Sequence, residues 1–283
     1  MRADANYNLN LNYNLNLNPQ PSTPSLNPPS RPALDAGPPP AVQWRGSNGR
    51  GRGRVDIQGL QKMTLLDWPG KVACTVFLGG CELRCPFCHN AELLTPPFPE
   101  SIPQEQLLSF LGKRRGLLDG VCVTGGEPLL RPDLAGLLCE IKALGFPVKL
   151  DTNGAHPAAL AALWERGLVD YVAMDIKNSP ERYAETAGVP GLDLGPIRDS
   201  AAWLLEGRVD YEFRTTAVRQ FHDGDSFRAI GGWIRGAARY YIQNFTDRDT
   251  VAFAGLSGFD KEELEGFAGL VAPCVEHVEL RGV

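Results

Sequence analysis

The sequence predicts an α/β fold: a parallel β-sheet covered by helices and curled into a partial or full barrel of the (β/α)6 type. Three observations carry that expectation. From Val55 onward, short β-branched runs alternate with amphipathic helical stretches. Glycine closes the helical stretches, as at Gly145 and Gly167. The polar and glycine-rich oddities fall just after the strands, on the carboxyl edge where parallel barrels keep their sites. At 283 residues and 43% apolar composition, the chain can bury a core of barrel size.

Residues 1–54 precede this alternation. They open with NYNLNLNYNLNLN at 6–18, continue through a Pro-rich run to Pro40, and end in the glycine–arginine sequence RGSNGRGRGR. None of it offers enough apolar surface to offset ordering, so the segment reads as a disordered tail in front of a domain at 55–283. A linker is the plain reading, although Arg45, Arg50, Arg52 and Arg54 could touch RNA.

In the domain, Lys71–Leu78 reads as a strand running into a cysteine loop. Ser101-Ile102-Pro103-Gln104 has a capping-box pattern that opens a helix. Strand Val121–Thr124, helix Pro132–Leu144, strand Val148–Thr152, helix Pro157–Arg166 and strand Tyr171–Ile176 follow. Helix Ile197–Leu205, strand Tyr211–Ala217, helix Ser226–Arg235 and strand Tyr240–Phe245 complete six strands.

The net charge of −5 conceals an asymmetry, because the tail holds six basic residues against two acidic ones and the remainder holds 22 against 31. An acidic body disfavours nonspecific nucleic-acid binding by the domain. No stretch has the length of a membrane span, so no membrane partner is expected. Seven cysteines, an odd number without an even framework, and no secretory leader point to a reducing cytoplasm.

Three of those cysteines, Cys81, Cys85 and Cys88, share one short loop. In C-x₃-C-x₂-C spacing they can hold three irons of a cubane cluster and leave the fourth without a protein ligand. A structural zinc is the competing reading, but His89 directly follows Cys88 and is badly placed to bend back onto the same metal. Burial as small hydrophobes is poorly suited to a loop with Gly79, Gly80, Arg84 and Pro86, and a disulfide needs an oxidising compartment.

The remaining polar signals share the same rim: Gly125-Gly126-Glu127 after the second strand and Thr152-Asn153-Gly154 after the third. Asp175 and Lys177 come at the fourth, Arg214 and Thr215 in the fifth, Gln243 and Asn244 in the sixth. Taken singly, each is an ordinary turn or ion pair. Their coincidence on one rim marks a candidate site.

With these residues in view, the chain resembles the radical S-adenosylmethionine superfamily. Within it, the likeness is to activating proteins of anaerobic ribonucleoside-triphosphate reductase, cousins of the pyruvate formate-lyase activating enzyme. It runs from about Gly59 to Phe245 through Thr64-Leu65-Leu66-Asp67-Trp68-Pro69-Gly70, the cysteine loop ending Cys88-His89-Asn90, Thr124–Pro128, Asp151–Gly154 and Met174–Lys177.

The resemblance implies a partial barrel of the radical SAM kind, with Cys81, Cys85 and Cys88 ligating a [4Fe–4S] cluster whose open iron takes S-adenosylmethionine. It implies no catalytic side chain beyond cluster and cofactor. It places Phe87 against the adenine, and Gly125, Gly126, Glu127, Thr152, Asn153, Asp175, Lys177 and Arg214 around the cofactor, Lys177 and Arg214 toward its carboxylate or ribose. Asp151, Thr152 and Asp175 would offer oxygens to a monovalent cation, the plain alternative being hydrogen bonding at strand ends. The implied partners are a glycyl-radical enzyme, foremost anaerobic ribonucleotide reductase, and an electron donor such as flavodoxin or ferredoxin. The rival readings are a radical enzyme acting on a small molecule and a zinc-binding interaction module without turnover.

Overall fold

A computed structural model describes residues 55–283, so the reading of 1–54 as a disordered tail lies outside the described residues. The order is β1 (Ile57–Thr64), β2 (Ala73–Leu78), α1 (Gln104–Gly112), β3 (Gly120–Gly125), α2 (Leu134–Ala143), β4 (Val148–Thr152), α3 (Pro157–Glu165), and β5 (Tyr171–Asp175). Then come α4 (Tyr183–Thr186), α5 (Gly195–Leu205), β6 (Asp210–Ala217), α6 (Gly224–Trp233), β7 (Tyr240–Asn244), α7 (Lys261–Val271), and β8 (Val278–Arg281). All eight strands form one sheet in sequence order. β2 to β8 run parallel, and β1 pairs antiparallel with β2.

The six expected strands are β2 to β7, in the expected order and direction. Two strands and two helices, the four-residue α4 among them, were not expected. β1 (IQGLQKMT) contains a glycine and polar residues and is mostly half-exposed, β8 has four residues, and α7 lies beyond the last expected strand. The capping box expected at Ser101 is not formed. Pro103 occupies the N-cap of α1, Ile102 bridges to Ile57, and Gln104 instead accepts from the Val55 backbone N–H at 2.9 Å and donates to Glu140 at 2.6 Å.

The sheet is curled. His89, after β2, and Thr246, after β7, meet through a 2.8 Å hydrogen bond. In a flat sheet, five strand spacings of about 4.8 Å would hold them about 24 Å apart. β1 and β8 remain as edges.

Register divides the two faces. Val76, Leu78, Val121, Val123, Val148, Leu150, Val172 and Met174 project to one face, where they share a buried core with Leu107 of α1, Leu137 of α2, Leu160 of α3, Ile197 of α5 and Phe227 of α6. The opposite, concave face is polar. Directly paired residues share a face, so the pairings Cys122↔Lys149, Asp151↔Ala173, Ala173↔Glu212, Asp175↔Arg214 and Gln243↔Arg281 place the charged groups together inside.

At the amino ends of the strands, Trp68 packs with Ala73, Cys122 and Tyr171, its ring 5.9 Å from that of Tyr171. A Cβ on Gly120 would lie 2.5 Å from the Trp68 ring, so glycine is what admits the indole. The Asp67 carboxylate accepts from Thr75 Oγ1, and the Thr64 hydroxyl accepts from the backbone N–H groups of Leu66 and Asp67. The Leu-Asp-Trp-Pro-Gly stretch therefore plugs the end of the barrel remote from the rim. Trp68→Ala should cost about 3–5 kcal/mol, the range for emptying a buried aromatic site, measured as a lower urea midpoint with an unchanged slope.

Candidate active site

The cysteine loop is built around a buried arginine. Arg84 Nη1 donates to the carbonyls of Cys81 at 2.6 Å and Leu83 at 2.7 Å, while its backbone N–H donates to Ala187 at 2.9 Å. That bonding bends the loop so that Cys81, Cys85 and Cys88 all line one cavity of about 200 Å³. All three are free thiols. Burial pushes Cys85 up to about 12, against the lowering influence of Lys177, and burial also raises Cys81 and Cys88. A thiolate here thus needs a neutralising partner, as a coordinated metal would be.

The Gly-Gly-Glu turn closes on this loop. The N–H of Gly126 donates to Leu78 at 2.8 Å and that of Glu127 to Gly80 at 2.7 Å, and Asn90 Nδ2 donates to the Gly125 carbonyl at 2.9 Å. Gly125 has φ +121°, and a Cβ on Gly126 would lie 2.2 Å from the Gly80 carbonyl oxygen. Glycine is therefore required by loop-on-loop packing, although both residues also line the cavity. Gly126→Ala must displace the loop and should cost about 1–3 kcal/mol, the usual range for overpacking; a lowered thermal midpoint checks it.

Glu127 sits behind the wall rather than in it. Its carboxylate accepts from Leu129 N–H at 2.9 Å, Thr152 Oγ1 at 3.0 Å and Asn153 N–H at 2.7 Å. Burial, and next the charge of Glu82, raise it to about 7. It ties the end of β4 to the glycine turn.

The same cavity is bordered by a chain of partly buried charges. Arg214 donates through Nε to Asp175 at 2.9 Å and through Nη1 to Asp151 at 3.1 Å, Lys177 donates to Asp175 at 2.9 Å, and the fully buried Lys149 pairs with Asp151. Burial alone would raise both carboxyls, but Arg214 with Lys177 or Lys149 outweighs it and holds Asp151 and Asp175 below the usual carboxylate range. Three cations face two anions, so the wall carries an excess positive charge suited to a carboxylate ligand. Of the oxygens expected to serve a monovalent cation, those of Asp151 and Asp175 are engaged with these basic groups, and Thr152 Oγ1 donates to Glu127 at 3.0 Å and accepts from the Gly154 N–H at 3.0 Å.

Phe87, Thr152 and Asn153 complete the cavity with Thr216 and Gln243, and Phe87 is backed by Phe221 at 5.9 Å. Of the residues that the resemblance places around cluster and cofactor, only Glu127 lies outside the lining; of the other rim residues, Gly154, Thr215 and Asn244 also lie outside it. Asn244 is turned away, exchanging hydrogen bonds of 2.8 and 2.9 Å with the Phe259 backbone. Sequence reasoning missed Lys149 and the organising role of Arg84; Lys149 was signalled by its i, i+2 relation to Asp151 in a strand.

The residues fit a cluster and its ligand: three thiols, a net-positive set of hydrogen-bonding side chains and an aromatic all line one cavity. Among the described residues, no three His, Cys, Asp or Glu side chains gather as for a single metal ion. A cubane spreads its thiolates over three irons.

Residues 75–223, more than half of the chain, match the family described as the Radical SAM superfamily. A protein of Methanocaldococcus jannaschii, provisionally named a glycyl-radical enzyme activating enzyme, is 28% identical over 237 residues, covering 80% of this chain and 96% of its own. The 7-carboxy-7-deazaguanine synthase of Hyperthermus butylicus is 35% identical over 184 residues, covering 62% of this chain and 70% of its own. Among solved structures, Streptococcus suis SuiB bound to S-adenosylmethionine aligns with a TM-score of 0.57 at 14% identity, over 71% of this chain and 48% of that one, a likeness of fold.

Proposed function

The chain belongs to the radical SAM superfamily, and from that premise we propose that it is a glycyl-radical-enzyme activating oxidoreductase. The cofactors of the superfamily are a [4Fe–4S] cluster and S-adenosylmethionine, which together supply an electron and a 5′-deoxyadenosyl radical able to take hydrogen from a glycine of a partner enzyme. Cys81, Cys85 and Cys88 hold the cluster in this reading. Lys177 and the Arg214-centred network receive the methionine carboxylate, Phe87 offers its apolar face to the adenine, and Thr152 and Gln243 supply hydrogen bonds. The partly buried wall limits the access of water to the reacting end.

The observation that supports an activase is similarity over nearly the whole length of the M. jannaschii protein. We take the partner to be an anaerobic ribonucleoside-triphosphate reductase and the electron donor a flavodoxin or ferredoxin, in the cytoplasm. Among the described residues no helix is long and apolar enough to cross a membrane.

A small-molecule reaction is the second reading, favoured by the 35% identity to the deazaguanine synthase. Anaerobically reconstituted protein, reduced in the presence of S-adenosylmethionine and an anaerobic ribonucleotide reductase, is expected to release 5′-deoxyadenosine and produce the electron paramagnetic resonance doublet of a glycyl radical. Release of 5′-deoxyadenosine without that doublet would overturn the activase reading.

A further inference from the structure

We propose that Asn153 is a positioning residue that tunes the cluster: its side-chain amide, locked in one orientation, donates to the Cys81 sulfur and raises the reduction potential of the cluster that Cys81 ligates. The proposal rests on the reading of the three loop cysteines as cluster ligands.

Every polar atom of the Asn153 side chain is accounted for. Its Oδ1 accepts from the Ala155 N–H at 2.9 Å, while its Nδ2 donates to Glu82 Oε1 at 3.1 Å and reaches Cys81 Sγ at 3.9 Å. Below it, the Asn153 N–H is held by Glu127 at 2.7 Å, and Glu82 is approached by His156 Nε2 at 3.2 Å at the start of α3. A flipped amide would set an oxygen against the Glu82 carboxylate and an NH₂ against the Ala155 N–H. Two separate partners therefore decide which end faces the sulfur.

The amide thus spends one hydrogen on a carboxylate and directs the other toward the thiolate side of the loop. Reduction adds negative charge to the iron–thiolate unit, so a fixed N–H donor stabilises the reduced form more than the oxidised one. Hydrogen bonds to the sulfurs are among the features that set cluster potentials.

The experiment is a redox titration, followed by electron paramagnetic resonance, of anaerobically reconstituted protein without S-adenosylmethionine, comparing wild type with Asn153→Ala and Asn153→Ser. Serine keeps an oxygen able to accept from Ala155, and so preserves the turn, but it is too short to donate to Cys81. Both variants are expected to load iron as wild type does and to show a midpoint more negative by roughly tenfold in the one-electron equilibrium, about 59 mV. A midpoint in fully loaded Asn153→Ser that equals the wild-type value, or lies above it, overturns the proposal even if the alanine variant fails to fold. Wild-type protein that takes up no cluster would overturn the ligand assignment and this proposal with it, an outcome distinct from an unmoved midpoint.

Discussion

Cys85→Ala is expected to abolish cluster assembly and S-adenosylmethionine cleavage while leaving the domain folded. Cys85 is buried, but its loop is shaped by Arg84 and by backbone bonds to Ala187, and none of these uses the sulfur. Losing the thiol should cost folding only about 1 kcal/mol, the centre of the range for point mutants. Removing one of three ligands to a cubane leaves two anchored irons. Iron and sulfide content, visible absorbance and 5′-deoxyadenosine release measure the first effect, and urea unfolding the second. Cys122→Ala is the contrast: Cys122 packs against Trp68 at the closed end of the barrel, so the variant should lose some stability and keep its cluster. Full iron loading and normal cofactor cleavage in Cys85→Ala would sink the ligand assignment.

What could be read in advance follows from how strongly each feature is written locally. The inner strands β2 to β7 carry β-branched runs bounded by glycine and helix signals, so their order and parallel direction were legible. β1 was not, because Gly59, Gln58 and Gln61 break any period of two, and the antiparallel pairing that holds it is a tertiary effect. α7 is different. Asp260 and Glu263 form a complete capping box there, a local signal that was present and not used.

At the site, the cysteine spacing and the strand-end residues were legible because each lies at a chemically unusual point of the chain. Their partners were not. That Glu127 would turn from the cavity to clamp Thr152 and Asn153, and that Arg214 would bridge two aspartates, depends on register across β3 to β6. Register is a relation between strands that no single segment encodes. The Leu-Asp-Trp-Pro-Gly stretch shows the reverse case, in which a motif that helped identify the family serves the closed end of the barrel rather than the rim.

Arg214→Ala is expected to weaken S-adenosylmethionine binding about ten- to a hundredfold, the equivalent of one lost charge-assisted bond of about 1.5–3 kcal/mol. The guanidinium is 12% exposed and already divided between Asp151 and Asp175, so its loss acts mainly through what it leaves behind. Asp151 would keep Lys149 and Asp175 would keep Lys177, but the excess positive charge of the wall would vanish, and two less-compensated carboxylates would face the space where a ligand carboxylate enters. Arg214→Lys should recover only part of the affinity, because an ammonium cannot present two directed N–H groups to two separate aspartates. The acid limb of stability gives an independent reading. Both aspartates are held low in the wild type, so their contribution is complete above the unfolded carboxylate value of about 3.9 and is lost as pH falls through their folded values. With Arg214 gone, those folded values rise toward the unfolded one, so less stability remains to be lost, and unfolding free energy should fall less steeply below about pH 4. Equilibrium binding and urea unfolding from pH 3 to pH 7 measure the two effects. Wild-type affinity together with a wild-type acid limb would reduce Arg214 to a strand-end ion pair and remove it from the cofactor wall.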